Sequence, residues 1–340
     1  MDWETDRQLQ IRMALAVGLL AIMPVAFIYA FVLAINEVGL PLLGWATDRQ
    51  FYGAVYVEPW LVIGVVLVGF GAQYLLGDRI ALRSIGARRV TADQAPELVD
   101  RVTRLAQTAG VPAPSVAVSD ADVPNAFTVG TRPSTATIVV TRGLLDALDG
   151  DELDAVLAHE LAHVKNRDVA VMSLAYVVPT ITYLVAIVAF GVVRGVGHSL
   201  GSLRHGRGNG RGLLVLVAVV LVSSIVTLAI SALFWLGSFT LFRVLSQYRE
   251  FAADRAAAAM TGAPAALASA LATVDDAMSD LPDRDLRAVD GGIEALYVAP
   301  IDDYQFGEDR KLISSDVFPA THPDTDERID RLRDLAGEMA

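Results

Sequence analysis

His159-Glu160-Leu161-Ala162-His163 is the stretch from which the rest of this chain can be read. On an α-helix, positions i and i+4 lie on one face, about one turn apart. Two imidazoles so placed can share one zinc ion. Glu160, beside the first of them, stands where a base can take a proton from water. The pattern points to metal-assisted hydrolysis of a peptide bond. The alternative is an ordinary helix carrying two satisfied core histidines, so the surroundings must decide.

The surroundings favour a helix. Asp151 and Glu152 sit in its first turn and suit the helix dipole, and Asp149 or Asp151 can cap it. Leu153, Val156, Leu157 and Leu161 recur at spacings of three and four and give a buried stripe. Ala155, Ala158 and Ala162 leave room for another element to come close. No Pro or Gly interrupts 151–165.

Working outward, 54% of the 340 residues are hydrophobic and the mean hydropathy is +0.46, so length alone is a poor guide to domain count. Four windows lack Asp, Glu, Lys and Arg: 13–36, 60–77, 169–193 and 212–242. A bilayer is crossed by a helix of ~20 apolar residues, so four transmembrane helices are expected. The first window is too long for a signal peptide core and follows Asp2, Glu4 and Asp6, which makes it a retained anchor. Arg7 and Arg12 precede the first span, and Arg79, Arg83, Arg88 and Arg89 follow the second. The positive-inside rule then places both regions in the cytoplasm. The Gly-rich loop 194–212, with Arg194, Arg204, Arg207 and Arg211, runs against that rule and leaves open a hairpin that does not cross fully.

The chain divides accordingly. Residues 1–36 are an N-terminal segment with the first span, 37–59 an extracytoplasmic loop and 60–77 the second span. Residues 78–168 are the first cytoplasmic catalytic part, 169–242 a membrane hairpin and 243–340 the second catalytic part. The expectation is an integral, multi-pass protein of the cell membrane with its site facing the cytoplasm. At ~1.5 Å per helical residue, a metal at His163 lies within roughly 10–15 Å of the membrane surface.

A net charge of −12 makes nucleic acid an unsuitable partner. The surface is Asp-rich, with Lys165 and Lys311 as the sole lysines, a composition suited to concentrated salt. Cys is absent, which excludes disulfides and thiolate ligands. Residues 92–109 read as an amphipathic helix between Pro96 and Gly110. Stretches 115–118, 126–129 and 136–140 have strand composition. Helices are expected from about Leu245 through Ala259, over 265–277 and over 325–336. The polar stretch 279–318 reads as loop with short helices.

A catalytic zinc usually has three protein ligands and one open position. Without Cys, the third must be His, Asp or Glu. The hairpin returns the chain to the side of His159, where Glu250 and Asp254 again stand at i and i+4. Glu250 can bind zinc while Asp254 orients a ligand histidine. The same residues, with Arg249 and Arg255, can equally form a solvated, self-paired helix face.

Taken together, the pentad with Asn166-Arg167-Asp168, the hydrophobic hairpin, the Glu250…Asp254 helix and the late Thr321-His322-Pro323…Arg328-Ile329 resemble the HtpX-type integral-membrane zinc metalloproteases, relatives of the CAAX prenyl endopeptidases. The resemblance covers nearly the whole chain. It implies an α+β, mainly helical, zincin-like metalloprotease core with a small, mostly antiparallel β-sheet, mounted on four transmembrane helices. It implies one zinc held by His159, His163 and Glu250, with Glu160 as general base and Asp254 in support. It matches Asn125-Ala126-Phe127 to the segment that opens a substrate-binding edge strand, and His322 to a position beside substrate or oxyanion. The loop reading of His322, and the turn-plus-strand reading of 125–127, remain beside these. The implied function is a membrane-bound endopeptidase for misfolded or damaged membrane proteins, with polypeptides and the lipid bilayer as its partners. The alternatives are a prenyl-protein processing protease and a catalytically inactive scaffold of the same fold.

Overall fold

The computed structural model describes residues 7–50, 52–84, 86–203, 210–279 and 323–339. The chain starts with α1 (Arg7–Ala34), a π-helical turn (Ile35–Gly39), α2 (Leu40–Thr47) and α3 (Pro59–Ser84). Next come β1 (Arg88–Val90), α4 (Pro96–Ala109), β2 (Ser115–Ser119), β3 (Ala126–Val129), β4 (Thr137–Thr141) and α5 (Arg142–Ala147). Then follow α6 (Gly150–Asn166), α7 (Asp168–Leu203), α8 (Gly210–Thr261), α9 (Pro264–Ser279) and α10 (Thr325–Met339). Two compact units result. One comprises Met1–Met13, Gln73–Ser173 and Phe242–Ala340, the other Ala14–Ala72 and Leu174–Leu241.

The first unit is helical around a four-stranded sheet of order β1-β2-β4-β3. Two of its three pairings are antiparallel; β2 and β4 run parallel, in register Val116↔Ile138 and Val118↔Val140. The cause is local. β3 folds back on β4 as a hairpin at the sheet edge, so β4 runs in the direction of β2. The three longer strands lie at or within one residue of the stretches read from composition. β1 has only Arg88-Arg89-Val90 and no apolar run to announce it.

The core lies between sheet and helices. Phe127, Ile138 and Val139 from the sheet meet Leu157 and Leu161 of α6, and Leu267 and Leu271 of α9, all essentially inaccessible to solvent. Each such side chain contributes about 1.5–3 kcal/mol. Leu98, Val102 and Ala106 give α4 its buried face, and Arg101 binds α4 to α6 through Asp154 (2.7 Å) and the Gly150 carbonyl (2.8 Å). Asp149 caps α6 in a capping box with Glu152. At the far end Arg167 takes a left-handed conformation, φ 60°, so the chain turns sharply and α7 starts at Asp168.

Segment 121–124 crosses the start of α5. Gly143 donates its N–H to the Ala121 carbonyl at 3.0 Å, and a Cβ at Gly143 stands 1.9 Å from the Asp122 carbonyl oxygen. Backbone on both sides leaves nothing flexible to yield. Gly143→Ala is therefore expected to cost about 1–3 kcal/mol and to lower the melting temperature. An unchanged thermal midpoint would contradict this close approach.

The second unit is apolar and wears its hydrophobic side chains outside. Leu15, Leu19, Leu67, Val68, Val188 and Leu233 are all exposed, as suits a lipid environment. Among the described residues two helical runs, Met13–Thr47 and Val217–Thr261, are long and apolar enough to cross a membrane. Pro59–Ala72 and Ile181–Gly195 are shorter apolar runs, so two of the four expected spans meet the test rather than all four. Both lie inside longer helices, α3 (Pro59–Ser84) and α7 (Asp168–Leu203). The helix expected to start near Leu245 is instead the continuation of α8 from Gly210, because nothing from Ser238 to Thr261 breaks it. Helix α7 likewise extends to Leu203, into the stretch read as loop. Residues 280–322, which include most of the polar stretch 279–318 and His322, lie outside the described residues.

Candidate metal centre

Small residues bring the site together. Ala162 of α6 packs on Ala253 and Ala256 of α8, so the two helix backbones approach closely. Glu250, one turn before Ala253, thereby meets the pentad. His159, Glu160, His163, Glu250 and Asp254 are all buried. His159 Nε2 lies 3.3 Å from one Glu250 oxygen, and His163 Nε2 lies 3.6 Å from the other. The two Nε2 atoms are 3.1 Å apart. One ligand atom from each of His159, His163 and Glu250 fits within a 4.8 Å span.

The outer nitrogens fix what the inner ones present. His163 Nδ1 meets Asp168 Oδ2 at 2.7 Å, and His159 Nδ1 meets Asp254 Oδ1 at 2.9 Å. An ionised carboxylate only accepts, so the hydrogen bond to Asp168 suits a proton on His163 Nδ1, and both Nε2 atoms face inward. Two ring nitrogens and a carboxylate then converge in a dry interior. Such a set requires positive charge among its members. A proton on His159 supplies it in part: burial works against that proton, but Asp254 and Glu250 outweigh burial and raise the His159 pKa to about 9. A divalent cation supplies it fully, and two imidazoles with one carboxylate form a donor set suited to zinc.

A second layer holds the first. Arg328 is wholly buried and grips Asp254 with two hydrogen bonds, Nε to Oδ2 at 2.9 Å and Nη2 to Oδ1 at 2.7 Å. Its Nη2 also stands 3.9 Å from Glu250. Burial alone pushes the Asp254 carboxyl up, yet Arg328 and His159 together hold it below the usual carboxylate range. Arg249 donates to Glu250 Oε1 at 2.7 Å. Glu250 and Asp254 therefore do not form a solvated helix face; both point inward and are claimed by the histidines and arginines.

Glu160 faces the sheet. Its carboxylate accepts a hydrogen bond from Thr128 Oγ1 at 2.7 Å. Thr128 sits on β3, an edge strand whose register with β4 runs from Ala126↔Val140 to Val129↔Thr137. Thr141 donates its N–H to the Asn125 carbonyl at 2.9 Å. Main-chain groups alternate along a strand, so Asn125, Phe127 and Val129 face β4 while Ala126 and Thr128 face the open edge. The structure thus places Asn125-Ala126-Phe127 at the entry to an edge strand beside Glu160, with Phe127 itself in the core.

Asp168, Arg249, Arg328 and Thr128 were not among the residues singled out for the site. Arg328 was findable: Thr325, Arg328, Ile329 and Leu332 are the buried residues of α10 at spacings of three and four, and an arginine on such a stripe needs an acid partner. Asp168 gave no periodic signal, because a left-handed residue separates its helix from that of His163.

The family model and the curated relatives agree. The family model described as Peptidase family M48 matches residues 92–336. Protease HtpX homolog 1 of Streptomyces coelicolor is 38% identical over 337 residues, which cover 99% of this chain and 96% of that protein. Protease HtpX homolog 2 of Methanosarcina mazei is 37% identical over 342 residues, covering 99% of both chains. Among solved structures, the crystal structure of S. mikatae Ste24p is similar at 15% identity and a TM-score of 0.45, over 91% of this chain and 65% of that one.

Proposed function

The chain belongs to peptidase family M48 and is a membrane-bound metalloendopeptidase, and on that premise we propose how its residues divide the work. The metal is zinc, held by His159, His163 and Glu250. The observation that carries this is the convergence of their three donors in a buried site, with a further carboxylate, Glu160, one residue from the first. Bound there, zinc acts as a Lewis acid toward a carbonyl oxygen and toward water. Glu160 takes a proton from the attacking water and gives it to the departing amine. Asp254 and Asp168 hold the two imidazoles in the tautomer that presents Nε2. Arg328 keeps Asp254 ionised so that it can do so.

The substrate is a polypeptide in extended form. Ala126 and Thr128 offer outward main-chain groups beside Glu160, and an extended chain adding to that edge lies across the site. Asn125 and Phe127 fix this edge from behind. The protein crosses the membrane four times, the shorter apolar helices completing the two long ones. The arginines at 79, 83, 88 and 89 keep the catalytic parts in the cytoplasm. Damaged or misfolded membrane proteins are the substrates that such a site is placed to receive.

Purified protein in detergent should contain one zinc per chain. Chelation should abolish proteolysis and zinc should restore it. Protein that hydrolyses peptides equally well after complete metal removal contradicts the assignment. In sealed vesicles, a tag after Ala340 that is cleaved only from the extracytoplasmic face overturns the topology. Digestion of casein with no action on membrane-inserted proteins removes the quality-control role and leaves the zinc chemistry standing.

A further inference from the structure

We propose that Thr128 is a positioning residue for the general base, tying the Glu160 carboxylate to the strand on which substrate docks. The inference rests on the assignment of Glu160 as base. Thr128 is buried, and its hydroxyl lies 2.7 Å from Glu160 Oε2 and 3.2 Å from the Glu160 carbonyl. A hydroxyl has one proton to donate, and the shorter, charged acceptor takes it. One carboxylate oxygen is thereby anchored, and the other is left for water. A carboxylate on a helix otherwise keeps rotational freedom about its side-chain bonds, and a base off line by a fraction of an ångström transfers protons poorly.

The position of Thr128 in the strand adds a second link. By the register of β3, its main-chain N–H and carbonyl face the open edge, where an extended substrate would pair. The same residue thus touches the substrate backbone with its main chain and the base with its side chain. Substrate that docks in register sets the scissile bond relative to Glu160 through one residue. A hydrophobic residue at 128 would fill the same space and keep the strand but release the base.

The test separates this from packing. Thr128→Val is isosteric and keeps β-branching; Thr128→Ser keeps the hydroxyl and loses a methyl. In the full-length, zinc-loaded protein, Thr128→Val should lower kcat about tenfold, as expected for loss of one hydrogen bond to a charged group, with KM within about twofold. Zinc content and melting temperature should match wild type, and Thr128→Ser should restore most of kcat. A Thr128→Val enzyme with wild-type kcat, or a loss that Thr128→Ser does not rescue, overturns the proposal. Glu160→Gln measured alongside keeps the two ideas apart. If it is inactive while Thr128→Val is normal, only the positioning role fails; if it is active, the base assignment fails with it.

Discussion

Glu160→Gln is expected to keep its metal and lose most of its peptidase activity, with kcat lower by about 10²–10⁴-fold, the usual contribution of a general base. The substitution is nearly isosteric. The amide oxygen can still accept the hydrogen bond from Thr128, and the donors of His159, His163 and Glu250 are untouched. What disappears is the capacity to take a proton. Metal analysis and a peptide-cleavage assay on the same preparation decide the matter. Zinc present with activity gone is the expected result; zinc present with activity within a few-fold of wild type would remove Glu160 from the mechanism. His159→Ala, His163→Ala and Glu250→Ala should differ in kind, losing zinc together with activity.

Arg328→Ala should have the largest effect on stability. Its guanidinium is fully buried and spends two hydrogen bonds on Asp254, which in turn holds His159. Removing one member of a buried ion pair typically costs about 3–5 kcal/mol, because the other charge is left without its partner. Asp254 titrates below its ordinary range in the folded protein. Its contribution is therefore complete above the ordinary carboxylate pKa and is lost as pH falls through the lower, folded-state value. Without Arg328 that folded value rises, so acid unfolding should begin at higher pH than in wild type. Zinc affinity should drop by about 10–100-fold, since the imidazole loses its orienting partner. Thermal melts across pH and competition with a metal chelator measure both effects. A variant that melts with wild type and holds zinc equally well would show that Asp254 needs no arginine. Arg328→Lys supplies charge without the planar fork and should recover part of the stability but less of the affinity.

The legible part of the site was the part written in helical periodicity. His159 and His163, and Glu250 and Asp254, are i,i+4 pairs, so spacing alone puts each pair on one face. The choice between a metal-binding and a self-paired Glu250 could not be read that way, because it depends on whether two helices touch. Ala162, Ala253 and Ala256 bring the two helices together, yet alanine is common in helices and carries little signal by itself. Asp168 stood in the motif of the resemblance, but its contact with His163 was hidden by Arg167, a non-glycine residue in a left-handed conformation that sequence patterns do not anticipate. Thr128 was hidden by its strand, where threonine reads as ordinary β-branched filling. In the fold, three strands and most helices of the first unit followed from periodicity and from Gly and Pro. The continuity of α8 did not, because the residues become more polar near Arg243 without any Pro or Gly to end the helix.

The separation of the candidate ligands along the chain has a consequence in time. His159 and His163 are synthesised before the apolar stretches of α7 and α8, Glu250 after them, and Arg328 last of all. Roughly ninety residues part His159 from Glu250, some 5–20 s of translation at ~5–20 residues per second. A nascent chain holding only the pentad has two imidazoles and no third donor, and the ribosome must complete the hairpin before the set can close. With Glu250 as the third ligand, a chain that stops before it is expected to lack proteolytic capacity.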